Sequence, residues 1–291
     1  MSLVPISALV RDSRNRIVRN LRRDDFQVFE GGRLRTIVDF GTTDDAAMAV
    51  AFLFDTSGSM GVAANLSKGR DFVEEVVGGI SPQIDHVALF TFNKRLREDV
   101  PFTNDPDNIF DALNDVRPWG LTSLYDAIAE AAKQVANQSS FRRAVVVVTD
   151  GVDTSSALTP AQVSAIASSI DVPVYVIVVV SPFDKTGRKT LIDTDLLALK
   201  EGPLGHLARW TGGEIIMPVS AEDLAAATQQ LVTELRHQYL MAFEPGGQPG
   251  WHPLEVRTRR TDLTVRARSG YVVPARTGVS EKVAGVSHQR N

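Results

Sequence analysis

Three short polar segments carry the side chains that could do chemistry. The first is Asp55-Thr56-Ser57-Gly58-Ser59, in which one carboxylate and two hydroxyls alternate along the chain. A loop with this alternation can direct all three side chains at one point, and Gly58 lets the backbone bend tightly enough for them to converge. Donor sets made only of oxygen suit hard cations such as Mg²⁺ or Ca²⁺ better than Zn²⁺. The segment therefore predicts a divalent-cation site.

Two further segments extend this donor set. Gly120-Leu121-Thr122-Ser123 precedes a helical pattern, and Thr149-Asp150-Gly151 follows an apolar run. Each has an ordinary structural alternative, because hydroxyl side chains such as Ser59 cap helices and Asp-Gly pairs form turns. All three segments, however, fall at the ends of predicted elements, and this joint occurrence favours the metal site.

The elements that must position these segments read as an α/β domain. Near-continuous apolar runs predict strands that are buried on both faces, as in a parallel sheet covered by helices; they are Ala47–Phe54, Val87–Phe92, Ala144–Val148 and Val174–Val180. Helical periodicity over 66–77 and 124–135 lies between them, and 90–102 predicts a hairpin with one antiparallel strand. We therefore predict a doubly wound, mostly parallel six-stranded sheet of Rossmann-like type.

This architecture predicts where the two aspartates meet. In the usual doubly wound order, the first and fourth strands are neighbours at the switch point, where ligands bind beyond the carboxyl ends. Asp150 is therefore expected to face Asp55 across the crevice. Two carboxylates and three hydroxyls fall short of an octahedral shell once one carboxylate acts through water, so a position stays open for an external ligand.

The flanking sequence has β character. We predict an N-terminal β segment at 1–43, the α/β domain at 44–237, a C-terminal β segment at 238–275 that packs with the first as a small sandwich or sheet, and a loose tail at 276–291. Glu30-Gly31-Gly32 predicts a tight hairpin turn. The arginines of the stretch Arg257–Arg268 alternate with apolar residues, and we interpret them as the solvated face of a strand.

Several helix ends have local signals. Ser123 followed three residues later by Asp126 resembles a capping box, and Thr159-Pro160 predicts a cap followed by proline at the first helical position. Thr211-Gly212-Gly213 predicts a helix end, and Ala221–Arg236 predicts an amphipathic last helix. Asp126 and Asp153 match no position of the metal motif, so we expect them to act in caps and turns.

Composition excludes several classes of protein. The net charge of -4 and the pI near 5.8 argue against a general nucleic-acid binder. Without cysteine there is no thiol catalysis, cysteine zinc site or disulfide. No apolar run reaches the roughly 18–20 residues of a membrane helix. Met1-Ser2-Leu3 leads directly into strand-like sequence, and we interpret it as an addition that replaces native upstream residues, including a signal peptide.

The three polar segments resemble the metal-ion-dependent adhesion site of von Willebrand factor A domains, with Asp55-x-Ser57-x-Ser59, Thr122 and Asp150 in the same order. The resemblance to the α/β domain of this family covers about Ala47–Arg236. The resemblance implies Mg²⁺, or else Mn²⁺ or Ca²⁺. It also implies that Ser57, Ser59 and, in the ligand-bound form, Thr122 coordinate directly, while Asp55 and Asp150 act largely through water. An Asp or Glu of a partner protein would complete the metal shell.

The flanks are similar to those of bacterial exported proteins related to this family. The matching segments are Asn20–Gly32, Leu207–Gly213 and Gly270-Tyr271. This looser resemblance implies a cell-envelope or secreted setting.

We therefore expect a metal-dependent interaction or adhesion module and not an enzyme. A regulatory or assembly subunit of an ATPase- or chelatase-type machine is the alternative. A metal-dependent hydrolase is less favoured, because Ser57 stands where haloacid dehalogenase-like phosphatases carry a second aspartate. No histidine lies near Ser57 or Ser59 to act as a base. The five histidines are scattered without metal-ligand spacing, and we expect structural or surface roles for His86, His206, His237, His252 and His288.

Overall fold

A computed structural model of the chain describes residues 3–42, 46–62, 64–139, 142–169, 171–179 and 193–273. The predicted tail at 276–291, residues 1–2 and the predicted boundary at 43/44 lie outside these ranges. Within them, no helix combines the length and the apolar character that a bilayer crossing requires.

Strands and helices follow one another in three blocks. The first block contains β1 (Val4–Arg11), β2 (Phe26–Glu30), β3 (Arg33–Arg35) and β4 (Ile37–Thr42). The second contains β5 (Met48–Asp55), α1 (Asn65–Gly78), β6 (His86–Phe92), β7 (Leu96–Thr103), α2 (Pro106–Asn114), α3 (Leu124–Ala136), β8 (Arg142–Thr149), α4 (Pro160–Ser169), β9 (Val174–Val178), α5 (Asp193–Glu201), α6 (Pro203–Trp210), β10 (Ile215–Ile216) and α7 (Ala221–Arg236). The third contains β11 (Tyr239–Phe243), β12 (Gly250–Thr258), β13 (Thr264–Ala267) and β14 (Gly270–Val273).

The second block forms a six-stranded sheet in the order β10-β9-β8-β5-β6-β7. All neighbouring strands are parallel except β6 and β7, which pair antiparallel at one edge. Every residue of β5 is buried, because α1, α2 and α7 cover one face of the sheet while α3, α4 and α6 cover the other. The predicted doubly wound, mostly parallel sheet with one antiparallel strand is confirmed.

The flanking strands form two antiparallel sheets, in the orders β13-β1-β11-β4 and β14-β12-β2-β3. Both sheets mix strands from the two ends of the chain, since β1 pairs with β11 and β13, and β2 pairs with β12. They bury a common apolar core that includes Ile6, Val28 and Phe243. The predicted hairpin is confirmed between β2 and β3. Its turn residues Gly31 and Gly32 have φ angles of 53° and 76°, a backbone conformation that residues with a side chain rarely adopt.

The interpretation of 257–268 as a solvated arginine face is only partly right. Arg257 is exposed, but at the boundary with the α/β domain the side chain of Arg268 is buried and that of Arg266 is partly buried. Arg266 forms ion pairs with Glu214 and Glu234, and the Nε atom of Arg268 lies 3.3 Å from Asp171 Oδ1. The alternation is present, but one face of this region lies against the α/β domain and not against water.

The predicted helix ends are confirmed at three places. The backbone N–H of Thr159 donates to the side chain of Gln162 at 2.8 Å, directly before α4. Gly212, with φ of +88°, follows α6, and α7 has the predicted bounds. Helix α2 was not predicted, although Asp105 Oδ1 caps it by accepting from the backbone N–H of Asp107 at 3.1 Å.

Replacing Glu234 tests how α7 is attached to the flanking sheets. Its buried carboxylate pairs with Arg11 of β1 and Arg266 of β13. We expect Glu234→Ala to lower the free energy of unfolding by about 3 kcal/mol, since it leaves two partly buried guanidinium groups short of a partner. Urea denaturation measures the change. Glu222→Ala, at an exposed position in the first turn of the same helix, is the control and should change stability little. Equal effects of the two substitutions would contradict the expectation.

Candidate functional site

The predicted site residues lie in loops at the carboxyl edge of the central sheet. Asp55 ends β5 and Asp150 directly follows β8, and these two strands are parallel neighbours in which Phe54 is paired with Val148. The predicted adjacency of the first and fourth strands of the α/β domain is therefore confirmed. The negative charge of Asp150 is one of the factors that raise the pKa of Asp55.

Asp55 is fully buried and held in place by two hydrogen bonds. Its carboxylate accepts from Thr149 Oγ1 at 2.6 Å and from the backbone N–H of Ser57 at 2.8 Å. Burial raises the pKa of this carboxyl to about 6, against the opposing effect of the hydrogen bonds from Thr149 and Ser57. An ionised carboxylate here is incompletely compensated by the protein alone, which is the condition a bound cation would relieve.

Ser57 and Ser59 are brought together by a tight turn. After β5 the chain forms a 3₁₀ turn over Gly58–Gly61, anchored by the fully buried side chain of Met60. The two serine Oγ atoms lie 3.1 Å apart. Two ligands at right angles around Mg²⁺, each about 2.1 Å from the ion, would be about 3.0 Å apart. The separation of the hydroxyls thus fits two neighbouring ligands of one such ion.

Thr122 is held between the other two loops. Its backbone N–H donates to Thr154 Oγ1 at 2.8 Å, and its carbonyl oxygen accepts from the backbone N–H groups of Thr154 and Ser155, each at 2.9 Å. The backbone N–H of Gly58 donates to the carbonyl of Gly120 at 3.1 Å. The Thr122 hydroxyl has no hydrogen-bond partner within the described part of the chain. The structure thus holds the backbone at Thr122 and leaves its side-chain oxygen available.

The predicted capping box at the start of α3 is wrong. Ser123 accepts no capping hydrogen bond; its Oγ atom lies 2.8 Å from Ser155 Oγ instead. The cap comes from the loop after β8, where Asp153 Oδ1 accepts from the backbone N–H of Leu124 at 2.8 Å. Asp126 accepts from two backbone N–H groups of that same loop, at 2.8 and 2.9 Å. The capping and turn roles expected of Asp153 and Asp126 are thereby confirmed, but they join distant loops.

Sequence reasoning missed two residues that support the site. Thr149 orients the Asp55 carboxylate, and Thr154 holds Thr122. Thr149 directly precedes Asp150 at the end of a buried strand, so its position was a usable signal. No local signal marked Thr154, because its partner Thr122 lies 32 residues away along the chain.

The donor set fits a hard divalent cation. It combines two carboxylates with three hydroxyls, from Asp55, Asp150, Ser57, Ser59 and Thr122. No group of three or more His, Cys, Asp or Glu side chains suited to a metal occurs among the described residues, so a cation here would depend on the hydroxyls. Oxygen ligands of this kind are the ones that Mg²⁺ and Ca²⁺ prefer, and they are poor ligands for Zn²⁺.

A family model describes the region that contains this site. The model of the von Willebrand factor type A domain matches residues 49–200, more than half of the chain. The chain belongs to the von Willebrand factor type A family. The matched region covers strands β5 to β9 of the central sheet and includes all three loops of the candidate site.

Solved structures share the fold of this von Willebrand factor type A domain. A conserved hypothetical protein, BatB, from Bacteroides thetaiotaomicron is 20% identical, with a TM-score of 0.52 over 65% of this chain and 97% of that one. An aerotolerance-related membrane protein from Bacteroides fragilis is 21% identical, with a TM-score of 0.52 over 65% and 98%. A mutant of the PilB minor pilin from Streptococcus sanguinis is 14% identical, with a TM-score of 0.50 over 66% and 62%. At these identities the likeness concerns the fold alone.

One curated relative is more similar in sequence. It is an uncharacterized protein from Borreliella burgdorferi, 30% identical over 136 residues. The match spans 45% of this chain and 40% of the relative's length.

The raised pKa of Asp55 predicts how stability depends on pH in the presence of a chelator. The folded-state pKa of about 6 lies above the ordinary value of 3.8. Stability should therefore fall as the pH rises from about 4 to about 6 and lose nothing further from this group above that range. Asp55→Asn removes the ionisable group. We expect it to raise the free energy of unfolding by on the order of 1–3 kcal/mol at pH 7.5 and by little at pH 4.

Urea denaturation of both proteins in EDTA across this pH range measures the difference. Asp111→Asn, which alters an exposed carboxylate on α2, is the control. An Asp55→Asn protein that is less stable than the wild type at pH 7.5 would contradict the prediction.

Proposed function

We propose that this chain is a metal-dependent protein-interaction module. Mg²⁺, or alternatively Mn²⁺ or Ca²⁺, would be held by Asp55, Ser57, Ser59, Thr122 and Asp150. The ion would attract an Asp or Glu side chain of a partner protein, whose carboxylate completes the metal shell. The oligomeric state of the chain does not enter this proposal.

The observation that carries the proposal is the convergence of three loops on one hydroxyl-rich point. Backbone hydrogen bonds connect the loop after β5 to Gly120, and connect Thr122 to the loop after β8. The backbone of the loops that carry the proposed donors is therefore held before any ligand arrives, which would reduce the cost of ordering them on binding. Because only two of the five donors are anionic, a divalent cation there would keep affinity for another carboxylate.

Binding is favoured over catalysis by the surroundings of the two serines. A nucleophilic serine needs a base within hydrogen-bond reach. Within the described ranges, the Ser59 hydroxyl lies within hydrogen-bond distance of the Ser57 hydroxyl, and Ser57 also bonds to Asp55. His86 begins β6 at the opposite edge of the sheet, and His252 lies in β12 beside Glu30, 2.7 Å from its carboxylate. Asp55 is the ionisable partner of Ser57, and a cation held by its carboxylate would lower its basicity, so these contacts favour binding over hydrolysis.

We further propose a cell-envelope or extracellular setting. The fold neighbours include proteins named as a membrane protein and as a minor pilin. The flanking β-sandwich, which joins both ends of the α/β domain, also suits an exported adhesin-like protein better than a subunit of a cytoplasmic machine.

Calorimetric titration of chelated protein with Mg²⁺, Mn²⁺ and Ca²⁺ tests the metal site. We expect about one ion per chain, with a dissociation constant on the order of 10⁻⁴–10⁻³ M, as in extracellular modules. Asp55→Ala should weaken binding at least tenfold, because it removes a carboxylate that is already oriented by Thr149. The surface variant Asp111→Ala is the control. Folded wild-type protein that binds none of the three ions, or an Asp55→Ala protein that binds them normally, would contradict the proposal.

A further inference from the structure

A cleft of about 490 Å³ adjoins the candidate metal site. It lies between the β6–β7 hairpin and the segment that leads to Gly120. Thr56 lines it, and Thr56 stands between Asp55 and Ser57 in the loop after β5. The cleft and the proposed metal site therefore share the loop after β5.

The lining of this cleft is predominantly cationic. It contains three arginines, Arg95, Arg97 and Arg117, and one carboxylate, Asp115. Arg97 forms an ion pair with Asp99, and Arg117 donates to the carbonyl oxygens of neighbouring residues. The exposed guanidinium of Arg95 has no hydrogen bond or ion pair with any residue that the structure describes. It is thus free to bind a carboxylate through two parallel hydrogen bonds.

The position of Arg95 is fixed relative to the metal loops. Asn93 Oδ1 accepts from the backbone N–H of Arg95 at 3.2 Å, which tightens the hairpin turn. The carbonyl of Asn93 accepts from the backbone N–H of Ser123 at 2.7 Å, directly after Thr122. The turn that carries Arg95 is therefore bonded to the loop that carries one of the proposed metal ligands.

An exposed tryptophan lines the cleft and is bonded to the loop after β5. Trp119 is 72% exposed, and its backbone N–H donates to the carbonyl of Thr56 at 2.8 Å. Leu121 and Val152, each about half exposed, belong to the other two loops of the site. Exposed aromatic and aliphatic side chains grouped around a polar centre are typical of protein interfaces, where tryptophan and arginine contribute most of the binding energy.

We propose that this surface binds a partner polypeptide segment with two acidic side chains. The first occupies the metal site, and this part rests on the proposed function. The second pairs with Arg95 in the adjoining cleft, and an apolar side chain next to it packs on Trp119. The positive charge of the cleft and the exposed indole together favour an acidic, partly apolar segment over a neutral one.

Synthetic peptides coupled at high density to a biosensor surface test this selectivity. One set carries a single Asp in a Gly-Ser background with one Leu. The matched set adds a Glu two to four residues from the Asp, and Gln replaces that Glu in a neutral control. In Mg²⁺ we expect the full chain to bind the two-acid peptides about tenfold more tightly than the one-acid peptides, since a charge-assisted pair contributes roughly 1.5 kcal/mol.

Substitutions assign the preference to the cleft. The affinity ratio of two-acid to one-acid peptides should fall to about one in Arg95→Gln and recover partly in Arg95→Lys. It should stay near ten in Arg33→Gln, which alters an exposed arginine of β3 in the flanking sheets. A wild-type ratio near one, or an Arg95→Gln ratio that remains near ten, overturns this inference while leaving the metal site intact.

Two other outcomes bear on the proposals differently. Peptide binding that is equal in Mg²⁺ and EDTA, or no binding of any peptide, overturns the proposed function and this inference with it. An oligothymidylate of the same charge that binds in EDTA more tightly than the two-acid peptides do in Mg²⁺ would assign the arginines to nucleic acid and would overturn the inference alone.

Discussion

The parallel pairing of β5 with β8 is the constraint from which the site follows. Parallel strands present their carboxyl ends at the same edge of a sheet, so Asp55 and Asp150 are placed there together. Strand β5 is apolar up to Phe54 and is buried between two layers of helices. The same burial removes Asp55, at the end of the strand, from water. The cost appears in the raised pKa of that carboxyl. A cation at this edge would offset it.

Backbone hydrogen bonds join the loops at this edge into one unit. Thr56 accepts from Trp119 and donates to the carbonyl of Phe92, while Thr122 accepts from the loop after β8. Each loop is therefore held by a neighbour and not by its own sequence alone. Rigid loops lose little conformational entropy when a ligand binds. The same bonds hold the backbone of Trp119, whose indole is exposed, next to the loop after β5.

The flanking β-sandwich is attached to the α/β domain by buried ion pairs. Arg266 of β13 pairs with Glu234 of α7, and Arg268 pairs with Asp171 in the segment between α4 and β9. Buried ion pairs of this kind contribute little net stability, but each charge becomes costly when its partner is removed. They therefore favour one arrangement of the sandwich on the α/β domain over others.

How much the sequence could predict depends on the distance between interacting residues. Apolar runs reveal buried strands locally, so the sheet and the adjacency of Asp55 and Asp150 were predictable from patterns and the usual strand order. The cap on α3 was not, because Asp153 and Leu124 lie 29 residues apart and the local pair at Ser123 resembled a sufficient cap. The interpretation of Arg266 and Arg268 as solvated was wrong because their partners are also distant in sequence. Alternation indicates that a strand has two faces, but it does not indicate what each face contacts.

The balance of carboxylates and hydroxyls explains why binding fits this site better than tight metal storage. Sites that retain Ca²⁺ strongly do so with many anionic ligands and a rigid cage. Here three of the five proposed donors are neutral hydroxyls, and the resemblance to the adhesion-type site implies that both aspartates act largely through water. The cation would then keep most of its charge toward the open position. A partner carboxylate would meet that charge beside buried side chains, where the attraction is stronger than in bulk water. Neutral donors would bind the cation weakly and neutralise little of its charge. For the same reason, the bound cation would attract a carboxylate of a partner protein.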